Sequence, residues 1–167
     1  DKSGTDDILG QVYGWLVTNP ADIVLLHIGT NDVSGGGENA QEVNDILDEI
    51  DRYEQDYADP VKVFVARIIL RGDTKNPQTI AYNNGIASIV QTRIAAGDDL
   101  VLVDMENALL YPDDLADSVH PDDGGLNGYL VFYENPYYAE FDLGASADPI
   151  ADHRFAGGEL RYYIIAG

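Results

Sequence analysis

Three apolar runs, separated by segments of helical character, constrain this chain more than anything else in it. Ile23-Val24-Leu25-Leu26-His27-Ile28 is almost unbroken, Val61 to Leu70 is similar, and Leu100 to Asp104 is a shorter third run. Runs of this kind fit strands buried on both faces, since a half-exposed strand would alternate apolar and polar residues. Between them, Ala40 to Asp56 carries Val43, Ile46, Leu47 and Ile50 at helical spacing, and Thr79 to Ala96 reads as a further helix closed by Gly97. An earlier helix is expected over Thr5 to Thr18. Thr5 is its N-cap, Asp6 and Asp7 suit its first turn, and Ile8, Val12, Trp15 and Leu16 form its stripe. Asn19-Pro20 ends it. Strict alternation of helix and strand predicts an α/β fold, a three-layer parallel sheet with flanking helices, flavodoxin-like in outline. Ligands of such sheets gather at the strand C-termini. Gly29-Thr30-Asn31-Asp32 stands there after the first run, and Ser34 to Asn39 is expected to be a loop.

The regular pattern assigns residues 1–125 to this domain. Residues 126–167 form an atypical tail rich in glycine and tyrosine. Leu130 to Tyr133, Tyr137 to Leu143 and Leu160 to Ile165 read as short strands, so the tail either completes the fold or belongs to an added element.

Charge narrows the range of partners. The 167 residues include 30 acidic and 9 basic ones, a net charge of −21. Such a field repels nucleic acid and anionic membranes, and it fits a secreted, solvated surface. No run approaches the roughly 18 apolar residues that span a bilayer. Cysteine is absent, which excludes disulfides and thiolate metal sites. Asp113-Asp114 and Asp122-Asp123 offer oxygen clusters for calcium, but neither has EF-hand spacing, and no metal or organic cofactor is expected.

The chemistry centres on Asp117-Ser118-Val119-His120-Pro121. A hydrolase with a serine nucleophile needs a histidine base, an acid that orients it, and donors for the oxyanion. Asp117 and His120 are close enough in sequence to share one short loop. The plain alternative is a surface histidine beside an acidic loop. His27, inside an apolar run, reads as a packed histidine, and His153 in the tail has no assigned role. Asn31 at a strand end is able to donate its amide to an oxyanion without titrating. Its plain alternative is an ordinary turn.

Together these segments resemble the SGNH, or GDSL-type, hydrolase family. Ser3-Gly4-Thr5 is similar to its second motif, Gly29-Thr30-Asn31-Asp32 to its third, and Asp117 to Pro121 to its last. The resemblance covers roughly residues 3–125. It implies catalytic roles for His120 as base and Asp117 as its partner, with Gly4 N–H and the Asn31 side chain forming the oxyanion hole. Asp32 is then a structural partner of its loop. Trp15 to Asp22, Ala81-Tyr82-Asn83-Asn84-Gly85-Ile86 and Arg93 to Met105 are most similar to secreted carbohydrate esterases of the acetylxylan esterase type. The implied substrate is an acetylated polysaccharide or a small ester.

The family's first motif, a strand ending in Gly-Asp-Ser, occurs nowhere in the chain. Nor does a regular helix pattern follow Gly128-Tyr129, and Ser118 stands where glycine is common in the family. Three explanations follow. The domain is N-terminally incomplete and a second chain supplies the first strand with its serine. Alternatively the tail replaces that strand, and Ser146 in Gly144-Ala145-Ser146 is the nucleophile. In the third, the chain is a non-catalytic carbohydrate-binding module, a degenerate member whose tyrosines stack on sugars.

Overall fold

The computed structural model describes residues 8–37, 39–109 and 113–120, together with the backbone of 154–155, 158–159 and 162–166. In chain order the elements are α1 (Val12–Thr18), β1 (Ile23–His27), α2 (Thr30–Gly35), α3 (Ala40–Tyr57), β2 (Lys62–Ala66), α4 (Asn76–Ala96) and β3 (Leu100–Val103). They are followed by β4 (Arg154–Phe155), β5 (Gly158–Glu159) and β6 (Tyr162–Ala166).

The expected α/β architecture is the one observed. Four strands form a sheet in the order β3-β2-β1-β6. Every neighbouring pair in it is parallel, with Leu25 level with Phe64 on one side and with Ile164 on the other. β6 from the tail thus lies along β1 on the side away from β2. β4 and β5 form a separate antiparallel pair. The expected tail strands at 130–133 and 137–143, and the boundary at 125/126, lie outside the described residues.

Period-two alternation divides the apolar runs between two cores. Val24, Leu26, Val63 and Val65 face one side, where Val12 and Leu16 of α1, Val43, Ile46, Leu47 and Ile50 of α3, and Tyr82, Ile86 and Val90 of α4 cover them. Ile23, Phe64, Ala66 and Val103 face the other side, against Ile69, Met105, Ala108, Leu109 and Leu115. Among the described residues the long helices pack on the first face, and the segment after β3 packs on the second. Basic side chains, scarce in this chain, serve as struts. Arg93 near the end of α4 reaches Asp48 and Asp51 on α3 and Asp98 beyond its own helix.

Two expectations are corrected. The second apolar run is a strand only to Ala66, because the Asn83 carboxamide takes over the backbone pairing at Ile68. Its Oδ1 accepts from Ile68 N at 2.8 Å and its Nδ2 donates to Ile68 O at 2.8 Å. The loop expected from Ser34 starts later, because the segment after Gly29 folds into α2, which takes in Ser34 and Gly35. Within the short helix, Ser34 Oγ donates a hydrogen bond to Thr30 O at 2.8 Å.

Candidate active site

Since β1, β2 and β3 are parallel, the segments leaving their C-terminal ends share one edge of the sheet. That edge carries the candidate groups. From β1 the chain turns through Gly29 at φ 113°, a conformation that glycine adopts at little cost. A side chain there would also collide with the Tyr82 ring, whose carbons lie 2.3 Å from an ideal Cβ. Tyr82 in turn donates its hydroxyl to Ile28 O at 3.3 Å. Gly29 is the N-cap of α2, which puts Asn31 in the first turn with its side chain exposed.

Past β3, a loop returns to the same edge and carries Asp117 and His120. Oδ1 of Asp117 accepts from Val119 N at 2.7 Å and from His120 N at 2.8 Å. Its Oδ2 lies 2.8 Å from His120 Nδ1. Ala116 N donates to His120 O at 2.9 Å, which closes the loop on itself. The His120 backbone N–H, its ring and the Val119 N–H hold the Asp117 carboxyl down to about 2. Asp117 is therefore a carboxylate throughout the neutral range, and its placement favours Nδ1–H on His120. Nε2 is then the nitrogen free to act as a base. The imidazole is open to solvent, its side chain 76% exposed.

The expected pairing of Asp117 with His120 is present, and Asn31 lies on the same sheet edge. Gly4 and Ser146 lie outside the described residues, as do His153 and the pair Asp122-Asp123. His27 ends β1 level with Ala166 of β6, and burial lowers its imidazole to about 4, so it is neutral in the neutral range.

The residues that knit the site together were not singled out from the sequence. Arg71 Nη1 donates to Ser34 Oγ at 2.7 Å, and Lys75 Nζ donates to Val33 O at 3.0 Å. Gly72 N donates to Ser118 O at 2.8 Å. The available signal was weak. Arg71-Gly72-Asp73 is a polar step just after an apolar run, and Asn83 is a polar residue inside the helix expected from Thr79 to Ala96.

The model of the GDSL-like lipase/acylhydrolase family matches residues 3–127. No curated protein matches the chain significantly. Among solved structures, the chain is similar to a family 3 carbohydrate esterase of Clostridium thermocellum, with a TM-score of 0.66 and 23% identity over 82% of this chain and 65% of that one. It is similar to a carbohydrate esterase family 3 protein of Talaromyces cellulolyticus, with a TM-score of 0.67 and 27% identity over 82% of this chain and 67% of that one. A catalytic mutant of an acetylxylan esterase from Geobacillus stearothermophilus matches with a TM-score of 0.57 and 17% identity, over 78% of this chain and 66% of that one. The chain thus spans about two thirds of the length of these proteins.

Proposed function

The chain belongs to the GDSL-like lipase/acylhydrolase family, and from that premise we propose that it hydrolyses a carboxylic ester by a Ser-His-Asp mechanism. The observation that carries this reading is the Asp117–His120 pair, joined at 2.8 Å at the C-terminal edge of a parallel sheet. In the first step a serine hydroxyl attacks the ester carbonyl while His120 Nε2 takes its proton. Asp117 holds the Nδ1–H and stabilises the imidazolium. Asn31 and the Gly4 N–H donate to the oxyanion, whose charge grows toward the transition state. His120 then protonates the leaving alcohol. Water, deprotonated by the same nitrogen, releases the acid.

Acetyl esters of a neutral polysaccharide are the substrates this reading favours. Similarity to the Talaromyces cellulolyticus carbohydrate esterase supports it, and the net charge of −21 disfavours polyanionic substrates. An extracellular setting is part of the same proposal. The serine comes either from a second chain or from Ser146 of the tail. β6 already lies along the side of β1 away from β2, with Leu26 level with Ile165, which favours a source within the chain.

The test combines activity with labelling. The protein is expected to hydrolyse an aryl acetate, and His120→Ala to abolish this. A fluorophosphonate followed by peptide mass spectrometry is expected to mark one serine, in wild type only. Absence of both hydrolysis and labelling, with retained binding to a glycan, would transfer the chain to the carbohydrate-binding reading.

A further inference from the structure

The turn from Arg71 to Lys75 touches both halves of the candidate site. Arg71 is buried, only 4% exposed, although it is an arginine near the surface of an acidic protein. Its Nε donates to Asp73 Oδ1 at 3.0 Å and its Nη2 to Asp73 Oδ2 at 2.6 Å, a two-point grip that fixes the plane of the guanidinium. The remaining nitrogen, Nη1, reaches across to Ser34 Oγ on α2 at 2.7 Å. Lys75 adds bonds to the Val33 and Ser34 carbonyls, where a cation complements the end of a helix. From the residue between them, Gly72 N donates to Ser118 O, in the loop that holds Asp117 and His120. The approach is close: a Cβ on Gly72 would come within 3.3 Å of Ser118 Cα. The backbone of Arg71 is itself pinned, its N–H donating to Asn76 Oδ1 at 2.9 Å.

We infer that Arg71 is a positioning residue, which with Gly72 locks the helix carrying Asn31 to the loop carrying Asp117 and His120. The inference rests on the hydrolase reading for its catalytic consequence. Its structural content is independent of that reading. An oxyanion donor and a base act on the same carbonyl, so their separation has to be held within a fraction of an ångström. In this protein they sit on segments that leave different strands. Among the described residues, the turn between β2 and α4 is bonded to both.

The test uses the full chain with Arg71→Gln, Arg71→Lys and, as a control, Arg52→Gln on the exposed face of α3. Steady-state hydrolysis of an aryl acetate is measured at a temperature where all variants are folded. Nuclear magnetic resonance follows the Asn31 side-chain amide and the His120 backbone amide. Arg71→Gln is expected to lower kcat by roughly 10- to 100-fold, the scale of an ångström misplacement, with KM within about twofold. Arg71→Lys is expected to recover part of the loss, and both resonances to move in Arg71→Gln while staying in place in Arg52→Gln. An unchanged kcat, or movement at Asn31 with His120 unmoved, overturns the inference. With an inactive wild type the hydrolase reading falls, and joint or separate movement of the two resonances still decides the coupling. Should Arg71→Gln not fold, Ser34→Ala removes the same link from an exposed position and is expected to move both resonances.

Discussion

Asp117 holds His120 by two of the latter's nitrogens, the backbone N–H on Oδ1 and the ring Nδ1 on Oδ2, each at 2.8 Å. One carboxylate therefore sets both the shape of the loop and the orientation of the imidazole. The substitution Asp117→Asn separates the two effects. The amide oxygen still accepts from the backbone, whereas an amide NH₂ facing Nδ1 reverses the tautomer. Ester hydrolysis is expected to fall by about 10³- to 10⁴-fold with thermal stability little changed, checked by kcat/KM and a melting curve. Near-normal hydrolysis would remove Asp117 from the mechanism.

Asn31 is exposed in the first turn of α2, a position where alanine is at least as good a helix former. Asn31→Ala is therefore expected to leave stability unchanged. Loss of one oxyanion donor typically costs about 10²- to 10³-fold in kcat. Steady-state kinetics should show that loss in kcat with KM within a few-fold. A rise in KM alone would make Asn31 a ground-state binding group.

Gly29→Ala meets two obstacles, the backbone at φ 113° and the Tyr82 ring 2.3 Å from the new carbon. Strain and overpacking together are expected to cost about 2–4 kcal/mol in denaturant unfolding. Truncating the ring in Gly29→Ala/Tyr82→Leu relieves the collision and leaves the dihedral strain. The double variant is expected to lose less than the sum of the two single changes. Strict additivity would mean that the ring does not limit this position.

Asn83→Leu keeps the side-chain size and removes both hydrogen bonds to Ile68. Two buried backbone groups then lack partners, with an expected loss of about 2–4 kcal/mol. Hydrogen exchange should also show the Ile68 amide among the most accelerated. Protection of that amide equal to wild type would mean that another group replaces the carboxamide.

The fold was legible because burial on both faces writes itself as continuous apolar runs, and Ile23 to Ile28 admits few other readings. Asp117 and His120 were legible because three residues of spacing leave them little freedom to separate. The bridge through Arg71 and Gly72 was not, since it joins residues 37 and 46 positions apart through one side-chain and one backbone hydrogen bond. No local pattern encodes such contacts. The early end of β2 was hidden for the same reason. Ile68, Ile69 and Leu70 are apolar enough for a strand, and Asn83, which claims the backbone of Ile68, lies in the following helix.

Acid stability provides a prediction away from the site. Burial lowers the His27 imidazole from an ordinary 6.5 to about 4. The unfolded chain thus takes up a proton as pH falls through 6.5, while the folded chain resists until about 4. More protons on the unfolded state mean that stability is lost as pH falls across this window. Asp73 and Asp117, both held down to about 2, add to the loss as pH falls from the ordinary carboxylate value toward 2. Burial raises Asp51 and Glu54, so they take up protons first in the folded state and offset part of the loss near that range. Between pH 7 and 5 the His27 contribution is expected to be roughly 2 kcal/mol. His27→Gln should flatten the dependence of unfolding free energy on pH over that interval. An equal slope in both proteins would show that the imidazole titrates in the folded state as it does in water.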